Sequence, residues 1–334
     1  MKLGIDSYSV RNAGLDPIGV LQLAKQWGLA GVLFELSPFR SFRDDDLAAT
    51  RDTAAELGLY LHFGMGSIFA WHPMATQGRE MLAAAGYPTK VSEAQIVIQH
   101  LQVAKKLGSP ILRLVGGNLF TRDQGYDMAA LADQAVAILR EACQAAEDLG
   151  LKIAMENHAD FTVRELASIL ARVASPAFGF TVDCANLLFD MDAPLRLAEI
   201  MAPYALTTHF KNYRVLRTPQ GLALANCALG EGDVDLAAIA RVLQARNPQI
   251  NLNIEIHSQW EYFPLNVLEA GYFTRHPAPP GDGLSWYLRH AWDRPLAAAP
   301  SRALADGPEA WELERAHVEA SIGWAQEHLA SLLS

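Results

Sequence analysis

Apolar residues along this chain come in short bursts, separated by longer stretches in which they recur at every third or fourth position. The bursts, rich in Val, Ile, Leu and Phe, predict strands at roughly 2–7, 31–36, 59–64, 111–116, 151–157, 178–183, 205–210 and 251–257, with helices between them. Four of those helices run into similar phrases, KQWGLAG, AELGLY, KKLGSP and EDLGLK. In each, a glycine supplies the left-handed residue that ends a helix and hands the chain to the next strand. Such alternation favours parallel strands joined by crossover helices, an α/β fold, and eight units are the number that closes a (β/α)8 barrel.

The polar residues lie where such a barrel would use them. Function in a closed parallel barrel sits at the C-terminal ends of the strands, where the loops gather about one axis. Here those ends carry Asp6, Glu35, His62, Arg113, Glu156 with His158, Asp183 with Asn186, His209 with Lys211, and Glu255 with His257. Side chains alternate along a strand, so each pair two residues apart shares a face.

The last four strands narrow the chemistry. Glu156, Asp183, His209 and Glu255 offer three carboxylates and one imidazole, a donor set for one hard divalent cation, Mn²⁺ first, with Mg²⁺ or Co²⁺ as alternatives. The competing expectation is a set of buried ion pairs, such as Glu255 with Lys211 and Asp183 with His209. A cation chelated by a carbonyl and a neighbouring hydroxyl of a sugar acidifies the adjacent C–H and holds an enediolate. Glu156 and Glu255 are then the candidate proton carriers. Arg113, His158, Asn186 and His257 are expected to face the substrate, and a Lys211 and Arg214 pair would suit its carboxylate or phosphate.

Composition removes other classes. A net charge of −10, from 37 acidic against 27 basic residues without a basic cluster, argues against nucleic acid as a partner. No run of about eighteen apolar residues and no apolar signal core are present, so neither membrane nor secretion is expected, and the chain reads as cytoplasmic. Cys143, Cys184 and Cys227 have no metal-site spacing and read as reduced thiols. Neither a nucleotide-binding glycine loop nor a GxSxG elbow occurs.

The segments AMENH, FTVDCAN, THFKNYR, LGEGDVD and LNIEIH, in that order, resemble the xylose-isomerase-like TIM barrels, which include sugar isomerases, ketose 3-epimerases, inosose dehydratases and related lyases. The resemblance implies that Glu156, Asp183, His209 and Glu255 carry the metal, and that His62 with Lys211 or Arg214 meets the substrate. It implies an isomerase or epimerase of a small sugar or sugar acid. The alternative is a lyase of the same architecture that decarboxylates a 3-oxo sugar acid or dehydrates an inosose-like substrate. Ketose 3-epimerases place a histidine three residues after the metal-binding aspartate, where this chain has Asn186, and an amide does not exchange protons near neutral pH. A repair endonuclease on this barrel would want more strand-end histidines and a basic groove.

Two long segments complete the expectation. After the third strand, Phe69, Trp71 and His72 are unusually aromatic for a loop and predict a wall or lid, with Trp71 toward the substrate. The whole chain, 1–334, reads as one domain, in which residues 258–308 form an insertion between the eighth strand and a closing helix at 309–332. The opening SQWEYFPL is expected to bring Trp260 or Phe263 against the substrate or against a neighbouring subunit of a homo-oligomer.

Overall fold

The computed structural model describes residues 1–257, 262–297 and 308–333. Trp260, with residues 258–261 and 298–307 of the expected insertion, therefore lies outside the described residues. Eleven strands appear among the described ones: β1 Lys2–Asp6, β2 Gly31–Phe34, β3 Tyr60–Ser67, β4 Ile111–Val115, β5 Lys152–Glu156, β6 Phe178–Asp183, β7 Ala205–His209, β8 Asn212–Thr218, β9 Gly221–Cys227, β10 Asn251–Ile254 and β11 Tyr262–Leu265. Eight of them, in the order β10-β1-β2-β3-β4-β5-β6-β7, form one parallel sheet. Between its two outer strands, Phe210 N–H donates to Asn253 O at 2.7 Å and Glu255 N–H to Phe210 O at 2.9 Å, so the sheet comes round to a nearly closed TIM barrel.

The crossover helices end as their sequences dictate. Gly108 and Gly150 take φ of 76° and 68°, a conformation that costs a residue with a Cβ, and the chain turns directly into β4 and β5. The helix Val163–Val173 starts from a capping box in which Thr162 and Glu165 satisfy each other's backbone N–H groups. Its position brings the loop after β5 back over the barrel rim.

Inside the barrel, below the strand ends, lies a polar layer. Tyr60 OH donates to Asn253 Oδ1 at 2.7 Å, Asn253 Nδ2 donates to Thr207 Oγ1 at 3.0 Å, and His62 Nδ1 lies 3.0 Å from the same hydroxyl. The Tyr60 ring fits there because Gly31 has no side chain; a Cβ at Gly31 would stand 2.3 Å from the ring.

The strands outside the barrel form a second sheet, β11-β9-β8, all antiparallel. β8 and β9 are a hairpin over the Pro219–Gln220 turn, and β11 adds to its edge. Beyond β11 come the helices Tyr272–Arg275, Gly281–Ala291 and Pro308–His328. The last packs on the segment after β1, where buried Glu314 accepts from Asn12 Nδ2 at 2.7 Å and pairs with Arg11 at 2.8 Å. No helix among the described residues is long and apolar enough to cross a membrane. The three cysteines are free and buried.

Candidate metal centre and substrate pocket

Glu156, Asp183 and His209 are the final residues of β5, β6 and β7, and Glu255 follows β10 by one. Strand pairing sets Asp183 opposite His209 and Glu156 opposite Thr181, so these ends reach the same rim. One ligand atom from each of the four lies within 4.8 Å of the others, and all four residues are buried. His209 Nδ1 is 3.3 Å from Glu156 Oε2, 3.5 Å from Glu255 Oε2 and 4.0 Å from Asp183 Oδ2. On the other side of the ring, Nε2 lies 3.1 Å from Asp6 Oδ2, the position from which a carboxylate orients a metal-binding imidazole.

The residues fit a hard divalent cation. Asp183 Oδ2 meets the Lys211 ammonium at 2.8 Å and both ring nitrogens of His209 face carboxylates, yet none of these contacts is an aligned hydrogen bond, so the donor atoms are held together without being used up. Five carboxylates, Asp6, Glu35, Glu156, Asp183 and Glu255, gather about two permanent cations, Arg113 and Lys211, and one imidazole. A divalent cation held by three oxygens and a nitrogen would balance that excess.

Of the ion pairs expected as the competing arrangement, Glu255 with Lys211 is present, whereas Asp183 lies nearer Lys211 than His209. Lys211 Nζ sits 2.6 Å from Glu255 Oε2 and 2.8 Å from Asp183 Oδ2. Arg113 Nε donates to Glu156 Oε2 at 2.6 Å, its Nη2 reaches the same oxygen, and its Nη1 lies 2.6 Å from Glu35 Oε1. Burial opposes ionisation throughout this cluster, and neighbours decide who overcomes it. Burial raises Asp183 to about 7 despite Lys211, and raises Glu35 to about 7 despite Arg113. For Glu255 burial is outweighed by Lys211 and His209, which bring it down to about 2. For Glu156 it is outweighed by Arg113 and His209, which hold it well below the ordinary carboxylate range.

A cavity of about 310 Å³ opens over this floor. Arg113, His158, Asn186, Lys211, Glu255 and His257 border it. His158 is fixed by its Nδ1, 2.7 Å from Gly117 O, and burial keeps His257 neutral by lowering it to about 3. Asn186 Nδ2 donates to Glu156 Oε1 at 3.3 Å. Glu156 itself lies beneath Arg113 and does not border the cavity.

Three expected substrate contacts are not brought to the cavity. His62 belongs to the polar layer inside the barrel, because β3 runs on to Ser67 and leaves it five residues below the strand end; burial lowers it to about 4. Arg214 falls on the outward face of the hairpin, where its Nε donates to Glu231 O at 2.8 Å. Trp71 stacks between Phe69 and Tyr126, at 5.7 Å and 4.1 Å, and Met74 borders the cavity in its place. Sequence reasoning missed Tyr8, Phe189 and Tyr213, which also border it. Tyr213 was visible in principle, as the inward partner of Arg214 in an alternating stretch. Phe263 does border the cavity, 4.9 Å from His257.

Residues 21–287 match the family described as xylose isomerase-like TIM barrel, and the chain belongs to that family. Among curated relatives, it is 24% identical over 230 residues to the uncharacterized protein YihM of Escherichia coli K12, a match spanning 67% of this chain and 61% of YihM. It is 24% identical over 271 residues to the 3-oxo-isoapionate decarboxylase of Pectobacterium atrosepticum, spanning 78% of this chain and 87% of that enzyme. Among solved structures, the D-psicose 3-epimerase of Clostridium cellulolyticum H10, determined with D-tagatose, shares the fold with a TM-score of 0.64 and 14% identity, each chain covered to 100%.

Proposed function

We propose that this protein is a divalent-metal-dependent enzyme of small sugar derivatives working through an enediolate, and that its reaction is loss of CO₂ from a 3-oxo sugar acid. Glu156, Asp183, His209 and Glu255 would hold the cation. When bound there, it would draw electron density from a carbonyl and a neighbouring hydroxyl and stabilise the negative charge that develops on their oxygens.

The observation that carries the choice of lyase over isomerase is the pairing of both candidate proton carriers with fixed cations. Epimerisation asks for two proton carriers on opposite faces of the substrate. Glu156 lies under the Arg113 guanidinium and Glu255 against the Lys211 ammonium, and carboxylates so engaged are poor proton acceptors. Asn186, three residues after Asp183, presents an amide that cannot take over that part. Decarboxylation makes no such demand. The C–CO₂ bond breaks, its electron pair moves to the carbonyl oxygen at the 3-position, CO₂ departs uncharged, and the enediolate takes one proton. Lys211 Nζ, which borders the cavity, would supply it; Asp183 and Glu255 now tighten its hold on the proton, and a cation taking up those carboxylates would loosen it. The decarboxylase among the curated relatives supports the same direction.

The test is to incubate the Mn²⁺-loaded protein with 3-oxo sugar acids and with ketoses in D₂O. CO₂ release with one deuterium in the product is the expected result. Deuterium at the carbon beside the carbonyl of a ketose, with no CO₂ from any acid, would assign an isomerase instead.

A further inference from the structure

The loops after β4 and β5 are joined to each other at Gly117. Asp160 Oδ2 accepts from the Gly117 N–H, Gly117 O faces His158 Nδ1 at 2.7 Å, and Arg122 Nε donates to Asp160 O at 3.1 Å. Two successive glycines allow this approach. A Cβ at Gly116 would stand 2.5 Å from Asp160 Oδ2, and one at Gly117 would run into the Thr121 hydroxyl. Between His158 and Asp160, Ala159 takes a φ of 62°, a left-handed conformation that a residue with a Cβ enters at a cost, so its surroundings must hold it there. His158 and Ala159 border the cavity, whereas Asp160 is buried and does not.

This arrangement decides which nitrogen of His158 carries the proton. A carbonyl oxygen only accepts, so the hydrogen bond to Gly117 O requires N–H at Nδ1, and the neutral ring keeps its lone pair on Nε2. Among the described residues nothing hydrogen-bonds Nε2, and protein does not seal it off. Other acceptors on the cavity are already engaged: Glu35 meets Arg113 and Glu255 meets Lys211, at 2.6 Å each, and His257 Nε2 lies 3.5 Å from Tyr8 OH. The His158 ring is also near enough to Glu156 for its charge to be felt there, which sets it beside the metal donors. A hydroxyl can donate to Nε2. A C–H or a carbonyl oxygen in the same place would leave a desolvated lone pair unmet.

We infer that Asp160 and Gly117 are positioning residues that hold His158 in its Nδ1–H form, and that His158 Nε2 accepts a hydrogen bond from a hydroxyl of the substrate, which makes His158 a specificity-determining residue. The tautomer is a property of the chain alone, while the hydroxyl rests on the sugar-acid reading above.

Two measurements test these halves separately. Long-range proton–nitrogen correlation spectra of histidine-labelled, Mg²⁺-saturated protein read the tautomer of each ring, and His158→Phe identifies the signal of His158. The Nδ1–H form is expected in the native protein, a shift toward Nε2–H in Asp160→Ala, and retention in Asp160→Asn, whose amide oxygen still accepts from Gly117. An Nε2–H ring in the native protein, or a ring unmoved by Asp160→Ala, would overturn the inference; should the alanine variant not fold, the native tautomer still decides. Calorimetry then compares a five-carbon aldonate with its singly deoxygenated analogues. One analogue is expected to bind about tenfold more weakly than the parent, and His158→Phe to shrink that penalty to within about twofold with metal content unchanged. Equal binding of all analogues, or a penalty that survives His158→Phe, would overturn the hydroxyl contact and leave the sugar-acid reading standing. Failure of every probe to bind would instead overturn the sugar-acid reading, and the hydroxyl contact with it.

Discussion

The floor and the aromatic side of one cavity are built on opposite principles. The floor takes Asp6, Glu35, Arg113, Glu156, Asp183, His209 and Glu255 from seven barrel strands or the residues just after them, and Lys211 from the link to the hairpin. Each charge there survives burial only through the others, so their relative positions must be fixed by long-range strand register. The side takes Tyr213 and Phe263 from the hairpin and its added strand and Phe189 from the turn after β6, and its residues need only be apolar and of suitable size. A removal from the floor leaves an uncompensated buried charge, whereas a removal from the side leaves a hole. Charge is therefore fixed where change is expensive, and the aromatic wall stands where change is cheap.

The sharpest way to break this contrast is to remove a metal ligand. Asp183→Ala or His209→Ala is expected to abolish stoichiometric Mn²⁺ binding, read by elemental analysis, and to lower turnover by on the order of a thousandfold. Phe189→Ala should keep its metal; if it loses metal as readily as the ligand variants, floor and side are not separate.

A smaller effect sharpens the account of the floor. Lys211→Met should lower kcat by about a hundredfold with metal content retained, because it removes the ammonium proposed to protonate the enediolate. Unchanged kcat would dismiss Lys211 from the chemistry.

The smallest effect concerns stability without metal. Glu35 and Asp183, both raised to about 7 in the folded protein, favour the fold fully only below the usual carboxylate range, and that contribution is lost as pH rises through about 7. Glu156 and Glu255, held low, lose their contribution only in stronger acid and do not offset it in this window. The melting temperature of metal-free protein should therefore fall by several degrees between about pH 5 and pH 8, and saturating Mn²⁺ should flatten the curve. A metal-free curve already flat would show that these carboxyls are not strained by burial.

How much of this was legible in the sequence follows the same division. Barrel strands announce themselves by apolar bursts with polar ends, and the expected spans agree with the observed ones to within three residues at either end. The four strand-end donors could be read because strand ends converge wherever a parallel barrel closes. Position along a strand could not: His62 reads as a strand-end residue, yet the strand continues through the glycines of FGMGS to Ser67. The hairpin has no counterpart among the eight expected strands, and Arg214, expected beside Lys211 at the substrate, turns away from the cavity. Its signal was present in the alternation of Tyr213 and Val215 with Arg214 around the Pro219–Gln220 turn, which puts tyrosine inward and arginine out.

Buried Glu314 links the final helix to Arg11 and Asn12, only a few residues from Asp6 and Tyr8. Asp6 stands behind His209, and Tyr8 borders the cavity. An error far along the chain can thus surface as a functional defect while the barrel stays whole. Glu314→Gln keeps the shape of the side chain and removes its charge, and should weaken ligand binding more than it lowers the melting temperature. In a population of natural variants, a lesion in that helix would be mistaken for one in the pocket, since a carrier would make a normal amount of an enzyme that holds its substrate poorly.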